Sequence, residues 1–422
     1  MFSAINRKVK RMALRHQKRK KVVFISDTTC RDGAQMPGIR LSPEGKVEIA
    51  RALAEAGVHS IDCGFPAAGP LEVEGVKAIA KNVRGPVLSA LSRTKIEDID
   101  LAAEAMAPVS PLKRAITLFI GTSPIHREHK HDMTKAQIVD TAVRSIEYAS
   151  KHFELISFGP EDASRTEPEF LKEIYEAAID AGALSIGYTD TVGILTPRKA
   201  AEAVRQIQDS VRNIGDAMMA VHFHNDLGLA TANSLACIEE GVNVVQGTIN
   251  GIGERAGNVA LEEIALALVL HEQEFGRKSQ VNPAKLYAIS QLVSDLTGFE
   301  PAANKPVIGR NLFRTEAGIH QDGILQNPDT YMPFPPELIG HGPVEVVLGR
   351  HSGSAAVKHH LEANGTEATE EHVRMVLDYL KNEQHDPSDM PEVEGFLDSV
   401  KPHMTIDEYQ PRRNGAKVTD SA

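Results

Sequence analysis

From residue 22 onward, short β-rich apolar runs alternate with longer stretches whose apolar positions recur at helical spacing. The strand candidates are 22–26, 60–64, 87–91, 115–120, 155–158, 185–188, 220–223 and 244–248. Amphipathic helical patterns follow them, among them 43–56, 134–151, 168–181, 197–211 and 227–240. Some start at Ser42-Pro43 or Thr196-Pro197, a capping hydroxyl with Pro in the first turn, and some stop at Gly57, Gly182 or Gly241. Eight β-then-α units within ~250 residues predict a closed (β/α)8 barrel, the TIM-barrel form of the α/β class. An open doubly wound sheet would carry a Gly-rich phosphate turn after its first strand. Here that position holds Asp27-Thr28-Thr29-Cys30-Arg31-Asp32-Gly33 instead. The run Gly251-x-Gly253-x-x-x-Gly257 is one residue too long for a dinucleotide fingerprint and follows the last strand.

Past His271 the alternation stops. A helical stretch over 282–297 precedes a Pro/Gly-rich, loop-like segment over 301–343, and short helices are predicted over 355–363 and 370–381. The division this gives is a basic N-terminal tail (1–21), a catalytic barrel (22–275), a linker with a helical subdomain (276–402) and a polar tail (403–422).

Composition narrows the class. With 42% apolar and 24% charged residues, the 422-residue chain has the make-up of a soluble globular protein. No apolar run approaches the ~20 residues of a membrane helix, and no leader h-region is present. A net charge of −11 argues against nucleic acid as the main partner. Three cysteines without C-x-x-C spacing (Cys30, Cys63, Cys237) point to a reducing, cytoplasmic setting. Nine of the fifteen residues from Arg7 to Lys21 are Lys or Arg, read here as a solvated tail rather than a transit peptide.

In a barrel of this kind the chemistry sits at the C-terminal ends of the strands. The strongest candidate there is His222-Phe223-His224 on the seventh strand. Residues two apart on a strand share a face, so both rings can converge on one ion. The alternative for such a pair is two satisfied structural histidines. Other strand ends supply Arg31-Asp32, Asp62, Arg93, Glu161, Thr191 and Asn258. Two imidazoles, the Asp32 carboxylate and the Asn258 carboxamide oxygen form a mixed N/O set suited to Zn2+, Mn2+ or Mg2+, with positions left for substrate. Such an ion would polarise a small oxygen-rich substrate. Arg31, beside Asp32, can stabilise a developing oxyanion, or serve as a charge-balancing partner for Asp32 or Asp62.

Three segments carry a family resemblance. Residues 27–35, 222–230 and 250–258 resemble the DRE-TIM metallolyases, and within them the Claisen-condensing branch of 2-isopropylmalate, homocitrate and citramalate synthases. The motifs at 161–165, 190–193, 303–306, 318–323 and 348–353 extend the likeness, and the last three look most like 2-isopropylmalate synthases. The resemblance implies an acyltransferase that joins acetyl-CoA to a 2-oxoacid and then hydrolyses the thioester. It implies a divalent ion held by Asp32, His222, His224 and Asn258, with Arg31 stabilising the oxyanion. Glu161 would orient or activate the hydrolytic water, with a salt bridge to Arg165 as the plainer reading. Arg93, Thr191 and Asp62 would line the oxoacid pocket. His320 would be the family's acid/base histidine, supplied across a homodimer interface, with a surface-loop histidine as the alternative. Two positions depart from the family pattern: Ala34 stands where relatives often carry Glu or Asn, and Asp62 where the second strand usually ends in Glu. The length leaves no room for the leucine-binding regulatory domain, so leucine feedback is not expected. 2-Oxoisovalerate is the default acceptor. A homocitrate or phosphonomethylmalate-type synthase, a lyase or aldolase of the same superfamily, and an inactive metal-binding relative are the alternatives. His129, Lys130 and His131 could meet an anionic substrate or form a solvated loop.

Overall fold

A computed structural model of the chain describes residues 21–382 and the single positions Met12, Leu14 and Gly395. The basic N-terminal tail and the 403–422 segment lie outside the described residues, apart from Met12, Leu14 and Lys21. Two compact units divide after Pro301.

The first unit is the expected closed barrel, with eight parallel strands paired in chain order. They are β1 (Phe24–Asp27), β2 (Ser60–Asp62), β3 (Val87–Arg93), β4 (Arg114–Gly121), β5 (Leu155–Glu161), β6 (Ser185–Asp190), β7 (Met218–Phe223) and β8 (Val244–Gly247). Closure is made by β1 and β8, in register from Phe24↔Val244 to Asp27↔Gly247. Helices α1 (Pro43–Glu55), α2 (Pro70–Asn82), α3 (Ile96–Ala105), α4 (Lys135–Ala149), α5 (Pro168–Ala181), α6 (Pro197–Ser210), α7 (Ala230–Glu239) and α8 (Leu261–Leu270) follow the strands. Outward-facing strand residues such as Ile61, Leu88, Phe158, Ile186 and Val221 are buried with helix residues such as Ile49, Ile79 and Ile174. Each such side chain contributes about 1.5–3 kcal/mol by leaving water. The inward faces of β5 and β6 behave differently. Ser157, Ser185, Gly187 and Thr189 stay half-buried inside the barrel because a cavity runs past them.

Local signals explain several helix starts. Ser42 Oγ accepts from Gly45 N at 3.0 Å, and Thr134 with Gln137 makes a full capping box at α4. Thr196 makes no cap bond, so α6 starts on Pro197 without the expected hydroxyl. The helix expected over 282–297 begins as a 3-10 turn and becomes α9 (Leu286–Thr297). It belongs to the barrel unit, where Ser290 Oγ donates to Asn250 Oδ1 at 2.6 Å.

In the second unit a two-stranded parallel sheet, β9 (Arg314–Thr315) with β10 (Glu345–Val346), accompanies three helices within residues 302–382. These are α10 (Gly318–Gln326), α11 (Ser354–Ala363) and α12 (Glu370–Asn382), with a small core of Leu348, Val357, Leu361, Val376 and Leu380. Helix α10 falls inside the segment expected to be loop. Its two glycines and mixed polarity hide it from pattern reading, yet Gly323 has a packing role: a Cβ there would lie 2.8 Å from the Tyr331 ring. No helix among the described residues is long and apolar enough to cross a membrane.

Candidate metal centre

Asp32, His222 and His224 are all buried and offer three ligand atoms within 4.8 Å of one another. The two histidines sit on one face at the end of β7, as the i, i+2 spacing predicts, with Nε2 atoms 3.4 Å apart. His222 Nε2 lies 3.7 Å from Asp32 Oδ2. Asp32 is brought there by the turn after β1, where the N–H groups of Arg31, Asp32 and Gly33 all donate to Thr28 O. Asn258 arrives because residues 257–259 pair with the end of β7: Asn225 N donates to Gly257 O and Val259 N to Phe223 O.

The donor set fits a divalent cation. Burial pushes the His222 imidazolium down to about 3 and lowers His224 as well, so both rings are neutral with lone pairs free to ligate. Burial alone would raise the Asp32 carboxyl, but Arg31, both histidines and Asn258 outweigh it and hold it ionised, well below the usual carboxylate range. Asn258 Nδ2 donates to Asp32 Oδ1 at 2.6 Å and to Ile252 O at 3.2 Å, which fixes the amide orientation. Its Oδ1 is then a buried acceptor with no partner among the described residues. Neither histidine Nδ1 has a hydrogen-bond partner either, so packing rather than an outer hydrogen bond orients the rings.

Gly253 makes this approach possible. Its φ is +147°, and a Cβ there would stand 2.7 Å from Asp32 Oδ1 and closer still to Asn258 Nδ2. Gly253→Ala is expected to push Asn258 off Asp32 and weaken divalent-ion binding by ~10–100-fold, as loss of an outer partner does. Isothermal titration with Mn2+ checks it, and wild-type affinity in the variant would contradict the arrangement.

Arg31 spans two carboxylates, with Nη1 2.5 Å from Asp32 Oδ2 and Nε 2.9 Å from Asp62 Oδ2. Burial lowers its affinity for the proton, but Asp32 and Asp62 reverse that and keep it charged. Asp62 is therefore the anchor of Arg31; it does not line the cavity. Behind it, Asp27 is fully buried and accepts from Thr29 N at 2.8 Å and Thr29 Oγ1 at 2.7 Å. Burial, with smaller contributions from Asp62 and Glu262, pushes its carboxyl up to about 7. The native state then holds a proton that the unfolded chain releases above its ordinary range, so stability from this group is lost as pH rises towards 7. Asp27→Asn should remove a slope of up to ~1.4 kcal/mol per pH unit. Urea unfolding of both metal-free proteins from pH 5 to 8 reads the difference, and parallel curves would refute it.

A cavity of about 380 Å³ opens beside the triad. Glu161 and Thr191 are among the residues that line it. Glu161 is paired with Lys130, whose Nζ lies 2.7 and 2.6 Å from its two oxygens, and not with Arg165. Arg165 instead clasps Asp162, whose backbone N–H donates to Thr191 Oγ1 at 2.8 Å. Lys130 and His131 belong to a π-helical turn, His126–His131, after β4; Lys130 lines the cavity and His131 Nε2 accepts from Gly121 N. His126, to which the sequence assigned no role, has Nδ1 3.8 Å from Glu161 and Nε2 3.9 Å from Asp162, with no hydrogen bond at Nδ1 among the described residues. Its signal was its place just beyond a strand end.

Arg93 does not line the cavity. It is drawn to Asp98 at the start of α3, 2.5 Å from Nε, and lies over the Phe65 ring, which is part of the cavity wall. A short helix-start carboxylate five residues on outcompetes the pocket for its guanidinium. His320 is exposed on α10 of the second unit, its ring 4.2 Å from that of Tyr331.

Comparison with known proteins agrees with this geometry. Residues 22–293 match the HMGL-like family model, and residues 307–387 match the model for the homocitrate synthase post-HMGL domain-like family. A 2-isopropylmalate synthase from Heliobacterium modesticaldum is 46% identical over 82% of this chain and 67% of its own length. One from Pyrococcus abyssi is 44% identical over 85% of this chain and 74% of its own. Among solved structures, HMG-CoA lyase from Bacillus subtilis superposes with TM-score 0.58 at 20% identity, covering 68% of this chain and 98% of that one. The Pseudomonas aeruginosa hydroxymethylglutaryl-CoA lyase does so with TM-score 0.57 at 20% identity, over 67% and 95%. That likeness is one of fold. The chain belongs to the HMGL-like family, in the Claisen-condensing branch of the DRE-TIM metallolyases that includes the 2-isopropylmalate synthases.

Proposed function

We propose that this protein is an acyltransferase of the 2-isopropylmalate synthase type, condensing acetyl-CoA with a 2-oxoacid and releasing free CoA. The observation that carries the reading is kinship with synthases of that name over more than four-fifths of the chain, with the Asp32–His222–His224 triad assembled. A divalent ion bound there, Mn2+, Mg2+ or Zn2+, supplies Lewis-acid polarisation of the acceptor's ketone. Asp32, His222, His224 and Asn258 Oδ1 are the groups that would hold it.

The residues then divide the work. Arg31 has five N–H donors, and Asp32 and Asp62 occupy two, which leaves donors for the oxygen that becomes an alkoxide when the acetyl carbon attacks. Asp62 keeps the guanidinium from turning away. Thr191, fixed by the Asp162 N–H, borders the acceptor. His320 is assigned as the acid/base group outside the barrel unit, in a homodimeric enzyme. Glu161 orients the water that cleaves the thioester, with Lys130 keeping its carboxylate in place. Glu161→Gln should therefore slow hydrolysis more than condensation, so that the malyl-type CoA thioester accumulates in a single turnover. Rapid quench and mass detection would reveal it; an unchanged ratio of thioester to free acid would remove Glu161 from that role.

The overall test is release of CoA from acetyl-CoA with 2-oxoisovalerate, 2-oxoglutarate, pyruvate, oxaloacetate and phosphonopyruvate as acceptors. 2-Oxoisovalerate is the expected substrate. Cleavage of an acyl-CoA without any condensation would point to a lyase.

A further inference from the structure

The cavity does not stop at the triad but continues down the inside of the barrel. Its inner wall carries a row of hydroxyls across three strands. Thr117 of β4 is in register with Ser157 of β5, and Ser157 with Ser185 of β6. Barrel interiors are ordinarily filled by layers of Val, Ile and Leu. Here all three hydroxyl residues are half-buried against the cavity. Among the described residues no other group hydrogen-bonds to their side chains.

Two glycines hold the shaft open above that row. A Cβ at Gly159 would meet nothing nearer than Thr189 Cγ2 at 3.9 Å, and one at Gly187 nothing nearer than Gly159 Cα at 3.7 Å. The row lies deep. Ser185 precedes Thr189, the register partner of His222, by four residues, or ~13 Å along the strand. The charged lining residues, such as Arg31, Lys130, Glu161 and Arg255, all come from strand ends and loops at the mouth. The charged mouth suits the phosphates of coenzyme A and the uncharged inner wall does not, so the thioester is placed at the mouth and the inner end is left to the acceptor.

We propose that the Thr117–Ser157–Ser185 row is an acceptor subsite for long 2-oxoacid side chains that end in an uncharged hydrogen-bonding group, such as a hydroxyl. The inference rests on the condensation proposed above. A methyl terminus would leave the three hydroxyls unpaired, and a carboxylate terminus would be buried there with no cation beside it. Gly187 sets the reach, because any larger residue narrows the shaft above the row.

The test uses three acceptors that differ only at their far end: 7-hydroxy-2-oxoheptanoate, 2-oxooctanoate and 2-oxooctanedioate, with 2-oxoisovalerate as the short reference. Full-length enzyme loaded with Mn2+ is assayed for CoA release from acetyl-CoA. The hydroxy acid should exceed its methyl counterpart by about tenfold in kcat/KM, with the dicarboxylate poorest. In the Ser157→Ala, Ser185→Ala double variant the hydroxyl-to-methyl ratio should fall to about one, and Gly187→Val should lower the long-to-short ratio at least tenfold. Should the variants fail to fold, the wild-type ranking alone still decides. Turnover of 2-oxoisovalerate with a preference for the methyl or carboxylate terminus would overturn the subsite and leave the condensation standing. No CoA release with any acceptor would instead overturn the condensation, and the subsite with it.

Discussion

Replacing His222 by Ala should abolish metal-dependent turnover. Lewis-acid stabilisation is worth several kcal/mol, so kcat/KM should fall by ~10³-fold or more. His222 Nε2 lies between His224 Nε2 and Asp32 Oδ2, at 3.4 and 3.7 Å, so its loss removes one of the buried ligand atoms of the triad. The metal-free protein should tolerate the change, because two neutral imidazole nitrogens facing each other gain little without a shared ion. Wild-type protein should gain ~2.7 kcal/mol of stability from a hundredfold excess of Mn2+ over Kd, read as a rise in Tm. In the variant that rise should vanish. Metal content after dialysis, thermal scans and CoA release give three independent readings. Retention of stoichiometric metal with full activity would mean that the triad is not the metal centre.

The second large effect is expected at Arg31. Arg31→Lys keeps the charge but loses the planar fork that serves Asp32 and Asp62 together. If the guanidinium meets the developing alkoxide, kcat should drop ~10²–10³-fold while metal binding stays near wild type. Arg31→Met should be worse for a different reason. It strands two buried carboxylates, a change that costs about 3–5 kcal/mol of stability when one partner of a buried pair is removed. A lysine variant with wild-type kcat would reduce Arg31 to a structural counter-ion. Equal losses of kcat and metal affinity would say that it acts only by positioning Asp32.

Most of the barrel was legible because strand and helix periods alternate cleanly, and a strand pointing two residues apart to one face is enough to pair His222 with His224. Asp32 and Asn258 could be matched to them because each follows the C-terminal end of a barrel strand, and those ends share one rim of the barrel. Less legible were the side chains whose partner is decided by competition. Arg93 turns to Asp98, and Glu161 to Lys130 rather than Arg165, because a nearby opposite charge settles where a long side chain lies. Helix α10 escaped detection since its residues follow a packing demand, the Tyr331 ring against Gly323, and not an amphipathic pattern. The hydroxyl row was also hidden. In Thr117, Ser157 and Ser185 an alternation of small polar and large apolar residues reads as a strand facing water, whereas the water-like face is turned into the barrel.

The seam between β1 and β8 has one more consequence. Thr28 N and Oγ1 both donate to Gly247 O, and Ile249 N donates to Thr29 Oγ1. Three residues further on from Thr29, Asp32 faces Asn258, 226 positions away in the chain. An ion held by Asp32 and the β7 histidines would therefore clip the first βα unit to the last ones. Ring closure and cation binding become one cooperative event. Amide hydrogen exchange at Thr28 and Ile249 should slow together when Mn2+ is added, while amides on the far side of the ring, in β4 and β5, change little. On that view the cation also sets how long the newly folded ring stays shut.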